Sequence, residues 1–217
     1  MKKWLLPVVI IGILVLFAIS SYNGLVSTQA DAKTAWSKVE SSYQRRNDLI
    51  GNLVKTVQGA ADFEKSTLEA VINARAKATS VTIDPTNITP EQLQQFQQAQ
   101  GGLNSALSRL LVTVERYPDL KATQNFRDLQ SQLEGTENRI NVERDRYNDA
   151  VNIYDKKIKS FPSVLFAKLF GFNEMARFKS EEGAEKAPKV EFDFGNNKSS
   201  ENPSATEENT TEKSESK

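Results

Sequence analysis

The sequence predicts an all-α protein, with one N-terminal transmembrane helix followed by an antiparallel bundle of three long helices and a short fourth. Three observations carry that expectation. Residues 4–20 form an uncharged apolar run behind Lys2 and Lys3. Residues 35–78, 90–116 and 123–159 repeat apolar side chains at alternating three- and four-residue spacing, the mark of a helix with one buried face. Every proline between residues 80 and 165 stands where that spacing fails, at Pro85, Pro90, Pro118 and Pro162. Stripes of this length are not stable alone, so they must cover one another.

The apolar run comes first. Its length is about 25 Å at a rise of ~1.5 Å per residue, short of a hydrocarbon core of ~30 Å, but residues 21–26 are also uncharged and extend it. We read residues 4–26 as an uncleaved signal anchor, with Trp4 at an interface and residues 1–3 as a short cytoplasmic N-terminus. The small residues of Ala18-Ile19-Ser20 leave a cleaved signal peptide as the alternative. Lys2 and Lys3 favour an exported bundle, weakly, because Lys33, Lys38, Arg45 and Arg46 soon follow on the other side. The chain has no Cys and so no lipoprotein acylation site.

Residues 27–178 should form the bundle. Its first helix is expected to start near the membrane and run unbroken to about residue 80, with Trp36, Val39, Tyr43, Ile50, Leu53, Val57, Ala60, Val71, Ala74 and Ala78 on one face. Gly51 and Gly59 each cost roughly 1 kcal/mol relative to Ala there, and are read as points of close approach or bending inside the helix. Residues 80–90 read as a loop ending in Thr89-Pro90-Glu91-Gln92, which supplies an N-cap, a proline at the first helical position and a glutamine at the third. The second helix carries Leu93, Phe96, Gln100, Leu103, Leu107, Leu110, Leu111 and Val114 on one side, so the glutamines among residues 91–100 are its solvated face. A turn at Tyr117-Pro118 leads to the third helix, with Phe126, Leu129, Leu133, Glu137, Ile140, Arg144, Tyr147, Val151, Tyr154 and Ile158 in register. Phe161-Pro162 ends it.

Residues 163–172 are too short for a second span and should close the bundle as the fourth helix. Their apolar group of Val164, Leu165, Phe166, Leu169, Phe170 and Phe172 offers the membrane surface as an alternative site. Residues 179–195 read as a charged linker, in which residues 190–194 alternate apolar and acidic side chains as a short strand or docking peptide would. Residues 196–217 are too polar to bury a core and form a disordered tail.

The inventory narrows the chemistry. Without Cys or His there are no disulfides, thiol or histidine catalysis, or His-ligated metals, and zero net charge gives no pull toward nucleic acid. Arg46 shares its heptad position with Val39 and Leu53 and must face a partner helix, where an unpaired charge is costly. We expect it to pair with Glu137 or Glu143 on the third helix and so set helix register. The alternative is a partner or anion site built on Arg45, Arg46 and Asp48. Glu64 also falls on the seam, but inward carboxylates hold two metals in bundles through Glu-x-x-His pairs, so neither metal nor cofactor is expected. Trp36, Tyr43, Tyr147 and Tyr154 read as core.

Several blocks then occur in order: Tyr22-Asn23-x-Leu25-Val26, Ala35-Trp36-Ser37-x-Val39-Glu40, Gln44-Arg45-Arg46-x-Asp48-Leu49-Ile50-x-Asn52-Leu53-Val54, Ala74-Arg75, Tyr117-Pro118-Asp119-Leu120-Lys121-Ala122, Thr136-Glu137-Asn138-Arg139-Ile140, Arg146-Tyr147-Asn148 and Phe161-Pro162. Together they resemble the bacterial LemA family across residues 22–172. The resemblance implies a membrane-anchored helical bundle without an established molecular role, with membrane proteases among the partners of some members. Many relatives have proline where this chain has Gly51. The functional expectation is a non-enzymatic scaffold or adaptor of the cell envelope, with a membrane sensory bundle as the alternative. Its expected partners are membrane lipid around the N-terminal helix, other membrane or envelope proteins, and a second copy of the chain.

Overall fold

The computed structural model describes residues 5–59 and 63–179. Ala60, the linker beyond residue 179, the 190–194 segment and the polar tail lie outside the described residues, as do residues 1–4. The described residues form six helices and no strand: α1 (Leu5–Gln58), α2 (Lys65–Ser80), α3 (Pro90–Val114), α4 (Pro118–Lys121), α5 (Gln124–Lys159) and α6 (Ser163–Phe170).

α1 is the axis of the molecule. Its 54 residues span about 80 Å at ~1.5 Å per residue, and it passes without a break from the apolar run into the bundle. In the first part large apolar side chains from Leu6 to Ile19 are exposed, so this is a helix long and apolar enough to cross a membrane. From Leu25 onward one face goes under cover: Leu25, Ala32, Trp36, Val39, Ile50, Leu53 and Val57 are all buried.

α5 lies antiparallel along α1. Arg46 meets Glu137, Trp36 meets Tyr147, and Gln29 meets Tyr154, so the pairs climb one helix as they descend the other. At Gly24 the Lys157 side chain lies so close over the α1 backbone that a β-carbon would displace it.

The unbroken helix to residue 80 is not what forms. α1 ends at Gln58, Gly59 sits in a turn, and α2 runs back along α1, with Arg75 donating to the carbonyl of Asn47. The physical reason is burial. Beyond Val57 a straight helix would leave Leu68 and Val71 without a partner, whereas the reversal packs both into the core that holds Leu53 and Val57.

α2 pairs antiparallel with α3, as Glu64 bonds Arg116 at one end and Ala78 accepts from Gln100 nearer the other. α3 opens with the expected capping box, in which the Thr89 hydroxyl accepts from the Gln92 amide and the Gln92 side chain accepts from the Thr89 amide. α5 opens on Thr123, whose hydroxyl accepts from the Phe126 amide. α6 follows the cis Phe161–Pro162 peptide and ends at Gly171, whose φ of 75° suits glycine.

A final extended strap, residues 172–178, returns across the bundle. Tyr147 donates to the Ala176 carbonyl, the Asn148 amide both donates to and accepts from the Phe178 backbone, and Arg177 pairs with Asp155. Phe178 is thereby set against the rings of both Trp36 and Tyr147, 6.0 and 5.7 Å away, under the Arg144 guanidinium.

Candidate functional site

The interior is two apolar cores with a polar layer between them. The core nearer the apolar end of α1 holds Trp36, Tyr43, Phe96, Tyr147, Tyr154 and Phe178; the other holds Ile50, Leu53, Val71, Leu103, Leu110 and Phe126. Where they meet stands Arg46, only 2% exposed.

Heptad spacing on α1 is what turns Arg46 inward, and spacing of four on α3 brings Gln100 and Asn104 to one face opposite it. Its Nη1 donates to Asn104 Oδ1 at 3.0 Å and to Glu137 Oε2 at 2.9 Å, and its Nη2 donates to Gln100 Oε1. The guanidinium carbon also lies 4.9 Å from the centre of the Tyr43 ring. Burial pushes the Tyr43 phenol above its ordinary pKa against the opposing pull of Arg144 and Arg46, so the ring beside the guanidinium stays neutral. One cation on α1 thus ties the α2–α3 pair to the α1–α5 pair.

The layer continues on the far side of α1. Arg75 of α2 donates from Nε to the Asn47 carbonyl at 2.8 Å, and its Nη2 is 3.9 Å from Asp48 Oδ1. The guanidinium lies flat over Gly51, where a β-carbon would sit 3.4 Å from Cζ, a contact at the tight edge of ordinary packing. Beside it α1 and α2 enclose an open groove of about 470 Å³, lined by Asp48, Asn52, Lys55, Gln58, Ile72 and Arg75.

The residues singled out from the sequence separate into distinct settings. Arg46 and Glu137 meet, while Glu143 is buried against Arg146 at 2.7 Å and is not a partner of Arg46. Arg45 is exposed, and Asp48 is exposed, accepting from Gln44 at 3.2 Å. Glu64 is not on the seam. It lies where the chain reverses, and its carboxyl is held below the usual range by the Ser66 hydroxyl and then by Arg116. Glu64, Glu137 and Glu143 therefore each answer a different arginine, and among the described residues no cluster of metal-ligating side chains forms.

Sequence reasoning placed Gln100 on the buried face but missed that it is a partner of Arg46; a glutamine at an apolar position among leucines was the available signal. Asn104 and Arg75 were not assigned to a buried face, because neither occupies an apolar position of the helical stripes. Chemically the layer is a set of donors most of which are committed to acceptors, Arg46 Nε being the exception among the described residues. It can hold helices in register, and it presents no paired acid and base to a substrate.

Comparison with known proteins places the chain. The LemA family pattern matches residues 35–192. Magnetosome protein MamQ of Magnetospirillum gryphiswaldense is 28% identical over 174 residues, covering 72% of this chain and 64% of the relative. A magnetosome protein MamQ of Paramagnetospirillum magneticum gives the same identity and coverage. The chain therefore spans less than two thirds of the length of these relatives. Protein LemA of Metamycoplasma hominis is 25% identical over 173 residues, 79% of this chain and 75% of its own length.

Proposed function

We propose, from the premise that this chain belongs to the LemA family, that it is a non-enzymatic scaffold or adaptor that holds a rigid helical bundle at a membrane for other membrane or envelope proteins to bind. The observation that carries this reading is the continuity of α1. One helix supplies both the exposed apolar segment and the buried face of the bundle, so the bundle cannot swing freely on its anchor.

The mechanism is spatial. Confinement to the membrane plane raises the effective concentration of partners confined there too, without any change in contact affinity. The binding surfaces are the polar face of α1 and the groove between α1 and α2, where Glu40 and Lys55 are exposed. The bundle lies on the exported side, a reading supported by Lys2 and Lys3 ahead of the apolar run. A sensory reading draws on the Arg46 layer, since it is built on the helix that carries the apolar segment, and displacement of that segment would strain it.

Photo-crosslinking probes placed one at a time at Glu40, Lys55 and Lys65 in native membranes test the adaptor. Capture of one partner protein from neighbouring sites supports it. Capture of the protein itself alone, or of nothing, removes the simple adaptor and leaves a self-assembling scaffold or the sensory bundle.

A further inference from the structure

We propose that α6 and the Phe161 corner before it lie in the surface of the same bilayer that α1 crosses, giving the bundle a second, interfacial foot. This rests on reading the apolar part of α1 as a membrane span.

Placement is the first argument. The Tyr22 ring meets Phe170 at 5.1 Å and Phe172 at 5.9 Å, both edge-on. Tyr22 lies within a single helical turn of Ile19, near the end of the series of exposed apolar side chains on α1 that begins at Leu6 and closes at Val26. α6 is thus docked at the level where α1 leaves the bilayer. Lipid that covers Ile19 on one side of α1 is within reach of α6.

The second argument is the face α6 leaves bare. Ala167 is fully buried against the bundle, yet Phe161 is 82% exposed, Leu165 62%, Leu169 74% and Phe170 47%. Leu165 and Leu169 are four apart and share the outer face of the helix. Exposed large apolar residues on the rest of the bundle, such as Ile72, Val112, Val142 and Ile153, stand apart from one another in the sequence. Scattered singles need no explanation; four within ten residues at the foot of a membrane helix do.

Charge agrees. Lys156 and Lys157 lie in the last turn of α5, where Lys159 is paired with Glu174 at 2.8 Å, Lys168 is exposed on α6, and Lys157 lies over Gly24 at the same level. Cations around an apolar face suit an anionic headgroup layer.

Because the chain has no Cys, single cysteines can report each position. Full-length Leu165→Cys and Leu169→Cys, labelled with nitrobenzoxadiazole and placed in phosphatidylethanolamine and phosphatidylglycerol vesicles, are compared with Ile13→Cys in the span and Val112→Cys far from it. All four positions are exposed, so the fold is not disturbed. Expected is loss of fluorescence to acyl-chain nitroxide lipids at Leu165 and Leu169 as at Ile13, with none at Val112. If Leu165 and Leu169 instead follow Val112 while Ile13 is quenched, α6 is off the membrane and the span stands. An unquenched Ile13 overturns the span and this inference with it. Labels at Leu165 and Leu169 shielded from both lipid and aqueous quenchers in proportion to protein density assign the face to a second copy and overturn lipid contact.

Discussion

Replacing Arg46 by Met tests the polar layer most directly, since it keeps the aliphatic stem and removes the charge. The cost follows from what is left behind. Asn104 is exposed and Glu137 is 43% exposed, so both return to water at little expense. Gln100 is 4% exposed, and its orphaned oxygen costs about 1–3 kcal/mol. Loss of the contact with the Tyr43 ring adds about 0.5–1 kcal/mol. Against this, a guanidinium no longer has to be desolvated, and its Nε has no hydrogen-bond partner among the described residues. The net expectation is a loss of about 1–3 kcal/mol. Glu137→Gln keeps an acceptor in place and breaks a half-exposed pair, so it should cost only about 0.5–1 kcal/mol. Urea unfolding of full-length protein in detergent, followed by helical circular dichroism, gives both values. Register is read separately, from the spin-label distance between Glu40→Cys on α1 and Ser105→Cys on α3. Arg46→Met should broaden that distribution, because the two apolar cores then merge into a seam along which α3 can slide. An Arg46→Met protein as stable as its parent, with an equally narrow distribution, would refute the role given to the layer.

Gly51→Ala should stabilise the protein by about 0.5–1 kcal/mol through helix propensity, provided the Arg75 side chain yields by tenths of an ångström, whereas Gly101→Ala should do so regardless, because nothing lies near its added carbon; parallel urea titrations of the two variants check this. Gly51→Pro should cost less than the ~3 kcal/mol of an interior helix proline, since Arg75 already bonds the Asn47 carbonyl that proline would release, and the advantage should vanish with Arg75→Met in a double-mutant cycle. Phe178→Ala should lose about 3–4 kcal/mol and release the strap, seen as faster exchange of the Ala176 amide, which donates to the Ile88 carbonyl, and of the Phe178 amide, which donates to Asn148. Burial, and secondarily Asp155, raises the Tyr147 phenol above its ordinary value. The unfolded chain then ionises first, so this contribution is complete below about pH 10 and is lost as pH rises further. Melting temperature should therefore fall above about pH 10, and less steeply in Tyr147→Phe.

What the sequence disclosed and what it hid divide along a physical line. Helical spacing reports which side chains want cover, and most residues on the predicted faces of α1, α3 and α5 are buried, with Leu107, Leu111, Leu129, Glu137 and Arg144 only partly so. The reversal at Gly59 was hidden because spacing is indifferent to direction: Leu68 and Val71 keep the period of α1 whether the helix continues or turns back. Only the supply of partners decides, and partners are a property of the whole fold. The same holds for the polar layer. Arg46 declared itself by occupying an apolar position, but choosing Glu137 over Glu143, which stand about 9 Å apart along α5 at ~1.5 Å per residue, depends on the axial offset between α1 and α5. That offset is itself fixed where large rings leave no freedom, at Trp36 against Tyr147 and Phe178. Phe178 arrives on a strap without periodicity, so no pattern announced it. An aromatic wedge from the least regular part of the bundle thus helps determine which carboxylate the buried arginine meets.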